Sequence, residues 1–147
     1  TSDLNKISSH IITASDVIEP YSTVLPINDS NYWGFGHISN YLGVSKPMVI
    51  LENYEASLNH FPLVWNRKNI PFLHLGNLEK ILSFTPKNDT NTKYQIDYVF
   101  ILSAINEAKN PEQKQKEISE LLSKHYRLVY ISSDDTVKLY KKVLNKS

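Results

Sequence analysis

The chain of 147 residues contains no cysteine. That absence excludes structural disulfides and thiolate-rich metal sites, and it leaves the redox compartment open. No run approaches the roughly 18 apolar residues of a membrane helix. A surplus of either charge is also missing: 16 basic residues face 15 acidic ones, for a formal charge of +1, so no electrostatic footprint for nucleic acid is present. The opening Thr1-Ser2-Asp3 is neither an initiator methionine nor a signal peptide. The expectation is therefore a processed protein or a domain cut from a longer polypeptide.

What is present suits a single domain of 1–147 with one sizeable core. Leu4, Ile7, Ile11, Ala14 and Ile18 recur at spacings of three and four, Ser2 can cap the start and Pro20 enforces a stop, which predicts an amphipathic helix. Residues 22–27 form a short β-branched run in which Pro26 removes a ladder donor, so that strand belongs near a strand end or a sheet edge. A helix is expected from Phe35 to Leu42, closed by Gly43 in the left-handed cap conformation. Met48 to Leu51 and Tyr98 to Leu102 read as continuous apolar strands, the pattern of a parallel sheet covered on both faces.

Between Asn53 and Gln95 the pattern is irregular. Phe61 to Trp65 and Ile70 to Leu73 are broken by proline and read as edge strands or loops, Leu78 to Phe84 as a brief helix, and Pro86 to Lys93 as a polar loop. Asn110, Pro111, Glu112 and Gln113 supply a cap, a first-turn proline and a capping-box partner for a helix presenting Ile118, Leu121 and Leu122. Residues 126–131 and 136–141 alternate around Ser132-Ser133-Asp134-Asp135, a β-hairpin with a four-residue turn. In its second strand Lys138, Lys141 and Lys142, with Lys146 beyond, alternate with Val137, Leu139 and Tyr140 as a solvated side rather than a phosphate track. The expected fold class is α/β: a three-layer, Rossmann-like, mainly parallel sheet with a C-terminal antiparallel hairpin. Folds of this class take ligands at the carboxyl ends of their strands.

Few residues carry chemistry in a recognised pattern. Gly34-Phe35-Gly36 with Glu52 further on approximates a dinucleotide fingerprint, but the first glycine comes seven residues after Ile27 and Ser39 stands in the third place. His10, His37, His60, His74 and His125 are scattered without metal-ligand spacing, and neither a metal nor a cofactor is expected. His125 reads as a helix-end residue near the carbonyl pole. Asp134 and Asp135 are placed where aspartate bonds the backbone of a turn. No nucleophile elbow is present. The triplets beginning at Asn28, Asn88 and Asn145 fit the N-glycosylation pattern.

The loop after the first strand is the richest segment. Asn28, Asp29, Asn31, Tyr32 and Trp33 combine acceptors with aromatic faces, a mixture that suits a sugar ring and suits equally a loop folded over its own core. His37 follows, either bonded to that loop or acting in chemistry there. Glu52 either ends its strand and accepts loop hydrogen bonds or serves the nucleotide reading.

Residues 22–56, "STVLPINDSNYWGFGHISNYLGVSKPMVILENYEA", together with "DYVFIL" (97–102) and "YRLVYISSDDTVKLYKK" (126–142), resemble the C-terminal domain that follows the membrane helices of bacterial polytopic glycosyltransferases, the polyprenyl-phosphate-sugar class related to protein mannosyltransferases. The matching motifs are packing patterns. In that class the catalytic carboxylates belong to a loop near the start of the membrane region, so the resemblance implies no catalytic residue here. It implies a non-catalytic accessory domain on the extracytoplasmic, periplasmic side of the membrane. Its partners would be the membrane-embedded part of the same polypeptide and a glycan or lipid-linked sugar. The helix from Ser2 to Ile18 would then follow a final membrane span. The alternative is a free-standing nucleotide-binding α/β module or small enzyme using Gly34, Gly36 and Glu52; a third reading is an interaction domain with no ligand.

Overall fold

A computed structural model describes residues 2–29, 37–51, 96–103 and 112–143. Helix α1 spans Ser2–Val17 and leads through a tight connection into strand β1, Thr23–Asp29. A 3-10 helix, Ile38–Gly43, precedes the short strand β2, Val49–Ile50. Strand β3 is Tyr98–Ser103, helix α2 is Glu112–His125, and strands β4, Tyr126–Ile131, and β5, Val137–Lys142, form the terminal hairpin. The expected irregular elements within 53–95, the cap at Asn110-Pro111 and Lys146 lie outside the described residues.

The architecture is mixed α/β around a five-stranded sheet of order β2-β1-β3-β5-β4. β1 pairs in parallel with β2 and β3, whereas β5 pairs antiparallel with both β3 and β4. Because β5 alone is reversed, β1, β2, β3 and β4 all run the same way. Their carboxyl ends therefore share one edge of the sheet with the β4–β5 turn.

Alternation along the strands divides the core in two. Tyr98, Phe100 and Leu102 of β3 join Val24, Val137 and Leu139 beneath Ile7, Ile11, Ala14 and Ile18 of α1. Val99 of β3 joins Leu25, Ile27, Leu51 and Ile96 beneath Ile118 and Leu122 of α2. The helical stripe predicted for α1 is thus the buried one, save for Leu4, which stands 41% exposed one turn beyond Ile7, near the helix start. Ser15, buried on α1, donates to Leu42 O at 2.6 Å and ties the 3-10 helix to that face.

Three local expectations are corrected. The helix placed at 35–42 is a 3-10 turn over 38–43, and Gly43 is its last residue rather than a left-handed cap; Val44 follows with φ −67°. A Cβ at Gly43 would stand 3.3 Å from Ile50 Cδ1, a tight contact with the end of that side chain. Second, β2 is not a strand covered on both faces, for Val49 is 41% exposed. Third, Pro26 sits mid-strand in β1, opposite Phe100 of β3. Leu51 N–H donates to Val24 O and Asp97 N–H to Thr23 O, so by alternation the Pro26 nitrogen faces the β2 side, past the two residues of β1 that pair with β2. The left-handed positions fall on Tyr21 (φ 63°) and Asp135 (φ 60°).

Candidate functional site

Of the polar residues singled out in the sequence, Asn28 and Asp29 lie at the shared carboxyl edge. Asn28 and Asp29 end β1 in register with Leu102 and Ser103 of β3. Ser103 N–H donates to Thr136 O at 2.9 Å, which brings the β4–β5 turn alongside. His37 is exposed, makes no side-chain capping bond, and accepts Asn40 N–H at its carbonyl, 3.1 Å away. Tyr32, Trp33, Gly34, Gly36 and Glu52 lie outside the described residues. Ser39, in the third place of the glycine pattern, is 2% exposed with no hydrogen-bond partner for its hydroxyl among the described residues. Its helix is a six-residue 3-10 helix, too short to sum the peptide dipoles that a full α-helix start offers a pyrophosphate.

The best-defined cluster centres on Asp134. Its Oδ1 accepts Ser132 Oγ at 2.8 Å, Thr136 Oγ1 at 2.6 Å and Thr136 N–H at 3.2 Å. Its Oδ2 lies 3.1 Å from Lys6 Nζ and 3.3 Å from His10 Nε2. The His10 contact is close enough for an ion pair once the imidazole is protonated, but it is not aligned as a hydrogen bond. Burial pushes the Asp134 carboxyl up; the hydrogen bonds from Thr136, Ser132 and Lys6 outweigh it and hold the group well below the usual carboxylate range. Beside it, Tyr130 is raised above the usual phenol range, chiefly by burial, with the Asp134 charge adding to the shift.

Sequence reasoning placed Asp134 in a backbone-bonded turn, and the structure agrees. It did not connect that turn to α1. The available signal was the spacing of Lys6 and His10, four residues apart and hence on one helix face, flanking the buried Ile7 and Ile11.

This arrangement fastens the amino-terminal half of α1 to the turn at the carboxyl edge. At the opposite edge Lys46 Nζ donates to Ile18 O at 2.8 Å, at the carboxyl end of α1, where cations offset the carbonyl pole. Lys141 there pairs with Glu19 at 3.1 Å. Helix α1 therefore runs antiparallel to β1 and β3, from the carboxyl edge to the amino edge.

Among the described residues no group of three or more His, Asp or Glu side chains is placed to hold a metal ion, and no helix is long and apolar enough to cross a membrane. No family model, curated protein or solved structure matches the chain.

Proposed function

We propose that the chain is a non-catalytic accessory domain of a bacterial membrane glycosyltransferase, lying on the periplasmic side of the membrane and contacting a glycan acceptor or lipid-linked sugar. One observation carries the reading. The three segments whose sequences resemble that class supply every described strand: β1 and β2 come from 22–56, β3 from the stretch at 97–102 bar Ser103, and β4 with β5 from 126–142.

On this reading the sheet belongs to a three-layer, Rossmann-like arrangement, with α1 on one face and α2 on the other. The carboxyl edge, with Asn28, Asp29 and the segment continuing through Tyr32, Trp33 and His37, is the contact surface, as strand ends are in open α/β sheets. Aromatic faces stack on the apolar side of a sugar ring, and carboxamide and carboxylate groups bond its hydroxyls. The membrane-embedded part of the same polypeptide is the principal partner, entering ahead of α1, and catalysis belongs to that part.

Glycan transfer by the full-length protein tests the contact surface. Trp33→Ala is expected to reduce transfer at least several-fold while the circular dichroism of the domain stays unchanged. Unaltered transfer would assign the loop a structural role only. Tight calorimetric binding of a dinucleotide, abolished by Glu52→Ala, would favour a free-standing nucleotide-binding module instead.

A further inference from the structure

Strand β4 is the last in the sheet order, and among the described residues no strand pairs with it on the side away from β5. Its hydrogen bonds to β5 fix which backbone groups turn outward. Val143 N–H donates to His125 O and Ser132 N–H to Val137 O, so residues 125 and 132 face β5. Counting alternately inward from each, Leu128 and Ile131 direct their N–H and C=O groups away from it. An outer side of this kind is a template for a further strand. The side chains fit that role. Leu128 lies opposite Tyr140, and Ile131 opposite Lys138, which places both on the α2 face, away from Val137 and Leu139 beneath α1. They are 47% and 44% exposed.

The bulge narrows the partner. An extra residue between Leu128 and Tyr130 sets the outward groups of Leu128 and Ile131 three positions apart, whereas a regular strand presents its own every two. A regular strand laid alongside falls out of step. A second β4 carries the same interval. We infer that β4 pairs antiparallel with β4 of a second copy of this chain about a two-fold axis, joining their sheets into one. Leu128 of each copy then lies opposite Ile131 of the other, the two bulges coincide, and the exposed apolar side chains form one cross-strand cluster. Charge selects the same direction. Lys6 already holds Asp134, and the exposed Asp135 of each copy is carried toward the exposed Lys124 of the other. A parallel pairing would instead set Asp135 beside Asp135. This pairing does not depend on the membrane reading.

Cysteine is absent from these 147 residues, so a single substitution reports proximity. Leu128 marks the outer side of β4, and Val49, exposed on β2, marks the far side of the sheet. The native polypeptide carrying Leu128→Cys or Val49→Cys is treated with a short bifunctional maleimide and resolved by mass, the unsubstituted polypeptide giving the baseline. Leu128→Cys is expected to yield an adduct of twice the polypeptide mass, several-fold more abundant than any from Val49→Cys. Adding Ile131→Lys, which places a charge opposite each Leu128→Cys, is expected to remove most of that adduct. Equal yields from the two positions, no adduct above the baseline from Leu128→Cys, an adduct of some other mass, or a yield that Ile131→Lys leaves unchanged would overturn the pairing.

Discussion

At the scale of single residues, Asp134 sets how firmly the carboxyl edge is organised. Both carboxylate oxygens are engaged, one by three donors of its own turn and one by Lys6 from α1, and the side chain is only 16% exposed. Removing the charge leaves Lys6 without its partner and weakens three hydrogen bonds. Asp134→Asn is accordingly expected to lower stability by about 1–3 kcal/mol at neutral pH, measured by urea denaturation. The pH dependence has a definite sign. The folded carboxyl titrates below its unfolded range, so the unfolded state takes up the proton first, and the stabilisation is complete above about pH 4. It is lost as pH falls further toward the folded value. The gap between wild type and Asp134→Asn should stay level from neutral pH down to about pH 5 and narrow below about pH 4; a gap that widened on acidification would contradict the assignment. Tyr21 shows what residue-level reading misses. It occupies the left-handed region with its side chain 84% exposed, where glycine or asparagine is the usual occupant. Its N–H on Pro47 O, 2.6 Å away, holds the backbone there, and no local sequence cue marks that long-range bond.

At the scale of elements, the periodic segments were legible and the aperiodic ones were not. Helix α1 announced itself because Ile7, Ile11, Ala14 and Ile18 fall on one stripe and pack on the sheet. Ile11→Ala, at a fully buried position, is expected to cost about 2–5 kcal/mol. Ile12→Ala, at a position 50% exposed, should stay within about 0.5 kcal/mol. Equal losses in thermal or chemical melts would mean that α1 does not dock by the stripe assigned to it. The hairpin was equally readable from its alternation, although the second strand begins at Val137 and the connection runs over the five residues 132–136 rather than the four expected. Its bulge between Leu128 and Tyr130 was not, since a bulge inserts one residue without changing composition. The segment expected as a helix at 35–42 is a 3-10 helix over 38–43, whose Ile38 and Leu42 are buried in the same core as the α1 stripe. The insertion of β5 between β3 and β4 lay beyond sequence reading as well, since strand order depends on long-range pairing that apolar runs do not encode. The same limit applied to the site. Asn28 and Asp29 read as the loop after the first strand, yet they extend β1 by pairing with Leu102 and Ser103 of β3; that match, like the meeting of Lys6 and His10 with Asp134 more than 120 positions away, is long-range and not encoded in local pattern.

At the scale of the whole molecule, one reversed strand in an otherwise co-directional sheet gathers four strand ends, the hairpin turn and the start of α1 at one edge. That convergence gives the domain a polarity, and the proposed function uses it, since Asn28 and Asp29 of the proposed contact surface end β1 at that edge. The most direct test of the proposal is where the native polypeptide resides and how large it is. Source cells would be fractionated and immunoblotted with antibody raised against this domain, whose own mass is 16.9 kDa. The account predicts a band far above that mass, confined to the membrane pellet; a band near 16.9 kDa in the soluble fraction would contradict it.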